Sequence, residues 1–131
     1  MKRDLEGPIH RSIVAYLYQV LPEGCMVHCC ANESHLKGKA AMLATIRKKG
    51  MGQITGFPDL LVLPYSHVGA FFLEVKSPKG TLSKPQKAVH EGLRTLGYKV
   101  GVVRSLDDVR ACLIEFGVGF TEKLPVRGVV R

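Results

Sequence analysis

The chain has 131 residues, the length of one domain, and its 46% apolar and 23% charged residues describe a globular chain, not a disordered one. No apolar run approaches the about 20 residues of a membrane-spanning helix, which excludes an integral helical membrane protein. Residues 1–8 lack the apolar stretch of an export signal, which predicts a cytoplasmic protein. Lys and Arg total 19 against 11 Asp and Glu, a formal charge of +8 that favours a polyanionic partner.

In chain order, Ile9, Ile13, Tyr16, Leu17 and Val20 recur at helical spacing and predict a helix over residues 4–21, ended by Pro22, Glu23 and Gly24. A short strand is expected over 26–31, then a second helix over 39–49 with Leu43 and Ile46 on its apolar side. Gly50, Gly52 and Gly56 make a basic-flanked loop. The apolar run at 59–64 reads as a buried strand, 65–69 as a turn, and 70–76 as its hairpin partner. Ser83 opens a helix with a capping box, because Gln86 lies three residues on. Val89, Leu93 and Leu96 are its expected core face, and Gly97 its stop. A strand follows at 99–104. Ser105 then caps a last helix with Asp107 and Asp108 in its first turn and Val109, Cys112, Leu113 and Phe116 as the buried stripe. A helix between two strands implies a crossover, so the sheet should be mixed and partly parallel, in an α/β sandwich.

Cys25, Cys29, Cys30 and Cys112 form no Cys-x-x-Cys pair. They read best as small apolar residues of a reduced chain, although His28 and His35 near Cys29 and Cys30 leave a metal site open. His10, His28, His35, His67 and His90 are poor general-base candidates, since none has an adjacent acid in a triad-like arrangement.

The charge is concentrated. Between Ser34 and Leu106 stand twelve basic residues and only three acids, Asp59, Glu74 and Glu91. Lys37, Lys39, Arg47, Lys48, Lys49, Lys79 and Lys84 could line a path for a phosphate backbone; a solvated basic face is the plainer reading. Asp59 and Glu74 lie in apolar strands, where an unpaired carboxylate is costly. Side chains alternate along a strand, so Glu74 and Lys76 share a face while Val75 turns to the core and leaves its carbonyl available. If the two strands are neighbours, Asp59 and Glu74 converge and repel unless a cation sits between them. Hard oxygen ligands suit Mg2+ or Mn2+, and a lysine alongside can position a metal-acidified water. A buried ion pair of Lys76 with either acid is the alternative.

The segments Gly56-Phe57-Pro58-Asp59-Leu60-Leu61-Val62, Phe72-Leu73-Glu74-Val75-Lys76 and Gly80-Thr81-Leu82-Ser83-Lys84-Pro85-Gln86 resemble the PD-(D/E)XK nucleases, and more narrowly the stand-alone virus-type replication-repair nucleases, the VRR-NUC family. Gly97-Tyr98-Lys99-Val100, Val103-Arg104-Ser105 and Asp108-Val109 also fit that family's ending. The resemblance implies a restriction-endonuclease-like mixed β-sheet flanked by helices. It implies one nuclease domain over 1–131, with a core at about 6–116 and an irregular tail at 118–131.

By resemblance, Asp59, Glu74 and the Val75 carbonyl are metal ligands, Glu6 on the first helix completes the site, and Lys76 handles the attacking water. The family's glutamine four residues after that glutamate is here His10. Family members also place a glutamine near the active site where this chain has Gln86, whose capping role stands without any chemistry. The activity implied is that of a Mg2+- or Mn2+-dependent DNA endonuclease, acting as a homodimer on branched DNA such as four-way junctions. A less selective duplex or flap nuclease, and a non-catalytic basic nucleic-acid-binding module, are the alternatives.

Overall fold

The computed structural model describes residues 5–30 and 50–122, together with residues 39, 42, 43 and 46. Helix α1 spans Glu6–Val20 and is followed by strand β1, Met26–Cys29. Strands β2, Leu60–Leu63, and β3, Phe71–Val75, come next. Helix α2, Lys84–Thr95, leads to β4, Lys99–Val103, and to helix α3, Leu106–Glu115.

The strands lie side by side in the order β1-β2-β3-β4. β2 and β3 run antiparallel, as the hairpin reading requires, and β1 pairs antiparallel with β2. β4 pairs with β3 in parallel, and α2 is the crossover between them. The sheet is therefore mixed. All of β3 is buried, whereas β1 is an exposed edge with only Val27 half-covered.

Period-2 alternation divides β3 between two layers. Phe71, Leu73 and Val75 join Leu60, Val62 and Val103 on the face covered by α1 and α3. There they meet Ile13, Leu17, Val109, Leu113 and Phe116, the stripes expected from helical spacing. Gly101 on β4 opens onto this face too, and a Cβ built there would lie 2.5 Å from Cys112 Sγ and 3.3 Å from Leu73 Cδ2. The missing side chain is what lets α3 lie this close to the sheet. Phe72, Glu74 and Val100 belong to the opposite face. On that face Phe72 makes edge-on contacts with Phe57 and Tyr98, at ring-centroid distances of 5.4 and 5.9 Å.

Helix termini follow their local chemistry. α1 starts at Glu6 without a side-chain cap, and Pro8 falls in the first turn, where a missing N–H costs nothing. Ser83 caps α2 in a complete capping box with Gln86, and Ser105 Oγ accepts from Asp108 N–H at the start of α3.

The expected core face of α2 is a correction. Leu96 is 74% exposed, Val89 and Leu93 are only half-buried, and the buried residue of the helix is His90. Leu43 and Ile46, expected as the packed side of a helix, are in helical backbone but exposed. The cysteines divide similarly. Cys25 is buried and Cys112 half-buried, but Cys29 at the end of the edge strand is exposed and is no core residue.

Residues 118–122 are irregular, as expected, yet tied down. Val118 N–H donates to Leu113 C=O, Thr121 N–H to Val20 C=O, and Tyr16 OH to Glu122 Oε2 at 2.6 Å. No helix among the described residues is long and apolar enough to cross a membrane.

Candidate active site

The register of the β2–β3 hairpin builds the site. Leu60 faces Leu73, so the next step along the ladder sets Asp59 opposite Glu74 on the face away from the main core. Asp59 is half-buried, and its Oδ2 accepts the Val75 N–H at 2.8 Å. Pro58 before it is buried. Gly56 at φ +90° lets this segment pass α2 closely: a Cβ there would lie 2.6 Å from the Pro85 carbonyl carbon and 2.8 Å from Gln86 N. The Gly-Phe-Pro-Asp segment and the first turn of α2 are thus seated against each other.

Glu74 is 1% exposed. Both of its oxygens are engaged from α2. Gln86 Nε2 donates to Oε2 at 3.2 Å, and His90 Nε2 lies 3.1 Å from Oε1. Gln86 Oε1 meanwhile accepts from Ser83 N–H at 3.0 Å, which fixes the orientation of the amide. Capping and site contact, the two readings of this residue, hold together.

Burial dominates the electrostatics of the pair. Burial, then the hydrogen bond and charge of Glu74, push the Asp59 carboxyl up to about 7. Burial also raises Glu74, opposed by its hydrogen bond with Asp59 and by the Lys76 charge. The pair therefore takes up a proton more readily than two free carboxyls would. Burial and the Arg94 charge push the His90 ring below its usual range, which favours the neutral imidazole in its contact with Glu74.

Lys76 follows β3, half-buried, and its backbone N–H extends the parallel ladder to Val103 C=O at 3.0 Å. Its charge is felt at both Glu74 and His90. The first turn of α1 faces the same place: Glu6 raises Glu74, and His10, one turn on, lowers Asp59. Among the described residues no three His, Cys, Asp or Glu side chains form a ready-made metal cage. Lys79 on the β3–α2 connection and Lys84 at the start of α2 are exposed, and Arg104 ties the connection down by donating to Gly80 C=O at 2.7 Å. Lys39 is exposed; Lys37, Arg47, Lys48 and Lys49 lie outside the described residues.

Sequence reasoning missed His90. Its acid partner is 16 residues away in sequence and meets it only through the crossover. A signal was present: Gln86 and His90 are one helical turn apart, so anything touching one is within reach of the other.

A family model for the VRR-NUC domain matches residues 11–107. The chain belongs to the VRR-NUC family. Two solved structures agree with the fold. A VRR-NUC domain protein is 20% identical, with a TM-score of 0.64 over 91% of this chain and 93% of its own. A VRR-NUC domain is 26% identical, with a TM-score of 0.58 over 86% of this chain and 97% of its own. No curated protein matches. The VRR-NUC family is one of nucleases, for which DNA is the implied substrate, and the mixed sheet flanked by helices fits the restriction-endonuclease-like class. Asp59, Glu74, Lys76, Gln86 and His90 fall within the matched residues, and Glu6 precedes them.

Proposed function

We propose that this VRR-NUC domain is a Mg2+- or Mn2+-dependent DNA endonuclease, selective for branched DNA such as four-way junctions and acting as a homodimer in the cytoplasm. The observation that carries the reading is the pair Asp59 and Glu74, set opposite each other by the β2–β3 register, with Lys76 two residues beyond Glu74. Two opposed carboxylates beside the Val75 peptide are a hard-oxygen donor set that fits a divalent cation, and a cation offsets the cost of keeping two half-enclosed carboxylates ionised side by side. Asp59, Glu74 and the Val75 carbonyl would hold it, with Glu6 approaching from α1. Bound there, it supplies Lewis acidity to a phosphate oxygen and acidifies a water.

The chain's own residues do the rest. Lys76 orients the attacking water and holds the negative charge that develops at phosphorus. Gln86 and His90 keep Glu74 from turning away. Lys79, Lys84 and Lys39, with Lys37, Arg47, Lys48 and Lys49, neutralise phosphates, which makes binding steeply salt-dependent. A homodimer presents two sites related by two-fold symmetry, which matches the symmetry of a four-way junction.

The test compares linear duplex, single-stranded, flap and four-way junction DNA, each with EDTA, Mg2+ or Mn2+, beside Lys76→Ala and Asp59→Ala. Metal-dependent cutting of the junction, lost in both variants, is expected. Equal cutting of every substrate removes the junction preference and keeps the nuclease. Tight binding without cutting under either metal overturns catalysis and leaves a DNA-binding module.

A further inference from the structure

His90 is out of place as an ordinary helix–sheet contact. It is 1% exposed and is the buried residue of α2. An aliphatic side chain there would give apolar contact without any polar group to satisfy. The imidazole instead brings two nitrogens into the interior, and Nδ1 has no hydrogen-bond partner among the described residues. Burying a polar atom without a partner is unfavourable. The offsetting contact is on the other nitrogen, 3.1 Å from Glu74 Oε1. A carboxylate takes its hydrogen from the ring, so Nε2 carries the proton and the partnerless Nδ1 is a bare lone pair.

We propose that His90 is a positioning residue for Glu74: its Nε2–H holds Oε1 while Gln86 holds Oε2, so the carboxylate is clamped at both oxygens in the orientation that binds a divalent cation. This rests on the reading of Glu74 as a metal ligand. The two donors sit one turn apart on the same helix, and the Ser83 capping box locks the turn that carries Gln86. Rotating the carboxylate breaks at least one of the two bonds. Each oxygen still keeps a lone pair for a ligand, because a carboxylate oxygen can accept twice. Carboxylates that ligate metals depend on such hydrogen-bonded support, and losing it typically weakens metal binding about 10–100-fold. The same contact explains why a helix with exposed Leu96 and half-covered Val89 and Leu93 docks through a histidine.

Glutamine and asparagine separate this role from packing. His90→Gln can present an amide N–H near the position of Nε2; His90→Asn presents one near Nδ1, out of reach of Glu74. Mn2+ binding to the full chain, free of DNA, is read by the loss of the free-Mn2+ electron paramagnetic resonance signal, beside wild type and Asp59→Ala. Thermal melts establish that each variant folds, and His90→Leu takes the place of His90→Asn should that variant fail to. The expected result is binding by His90→Gln within about threefold of wild type, and binding by His90→Asn weakened at least about tenfold. Binding by His90→Asn equal to wild type overturns the positioning role and leaves the metal reading standing. A glutamine variant as weak as the asparagine one also overturns it, since the donor is then not what matters. A wild-type chain that takes up no Mn2+, indistinguishable from Asp59→Ala, overturns the metal reading and this inference with it.

Discussion

Gln86 shows how one side chain can serve structure and site at once. Its carbonyl oxygen closes the capping box on Ser83 N–H, and its amide nitrogen donates to Glu74 Oε2. The two roles separate by substitution. Gln86→Glu keeps an acceptor for the cap, since glutamate serves at this position of a capping box as well as glutamine does. It replaces the donor to Glu74 with a second negative group. Gln86→Ala loses both, and the lost cap contact alone costs about 1 kcal/mol. We expect Gln86→Glu to keep the cap contact but melt below wild type at neutral pH, because a further carboxyl then faces Glu74, and to lose at least about tenfold in cleavage rate, while Gln86→Ala loses the cap contact and rate. Thermal melts beside a junction-cleavage time course check this; equal rates for wild type and Gln86→Glu would show that Glu74 does not need the amide. Asp59, Glu74 and Lys76 were legible because period-2 alternation and neighbouring strands are readable from apolar runs. His90 was not, because the acid that gives it meaning lies on a different element and only the crossover brings them together.

At the scale of elements, the β2–β3 hairpin and a parallel part of the sheet joined by a crossover helix were readable from apolar runs and turn residues, whereas the pairing of β1 with β2 was not. The docking of α2 was not. Its apolar positions predicted one face, but the sheet beneath it presents Glu74, so the polar pair Gln86 and His90 turns inward and Leu96 turns out. Propensity and spacing could define the helix; only the partner surface could choose its rotation. Gly101 illustrates the opposite face, where the close approach of α3 is set by an absent side chain. A methyl group at this position would lie 2.5 Å from Cys112 Sγ, closer than atoms can approach, with Leu73 behind it at 3.3 Å. Gly101→Ala should therefore destabilise by about 1–3 kcal/mol, the usual cost of overpacking a filled core. Cys112→Ala removes the sulfur that clashes. The double variant Gly101→Ala with Cys112→Ala should be more stable than the sum of the two single losses predicts, a coupling that urea unfolding of the four proteins measures directly. Strict additivity would mean that the strain is relieved elsewhere.

For the whole molecule, the site is a source of repulsion that the fold tolerates. The core is carried by the opposite face of the sheet, where α1 and α3 bury Ile13, Leu17, Leu73, Val109 and Leu113. The face that bears Asp59 and Glu74 is free to be shaped by charge, and its acids are surrounded by a chain of net charge +8. That excess of basic residues was visible from composition, but composition could not show that the acids are raised toward neutrality. The consequence for stability has a definite sign. Asp59 rises from an ordinary 3.8 to about 7 in the folded chain, so between those values the folded state binds more protons than the unfolded one. The stabilising contribution is then present below about pH 4 and is lost as pH rises through about 7. In EDTA, the stability of wild type relative to Asp59→Asn should fall by roughly 2 kcal/mol or more across that window, because the asparagine variant has no proton to lose at this position. If the proposed cation binds the ionised pair, it should reverse the trend at neutral pH, stabilising the folded state with the logarithm of its free concentration above the dissociation constant. Thermal melts of both proteins from pH 4 to 8, with EDTA and with Mg2+, read all of these effects. Parallel pH profiles for wild type and Asp59→Asn would place the proton elsewhere. A wild-type melt that Mg2+ leaves unchanged at pH 8 would remove the cation from the carboxylate pair.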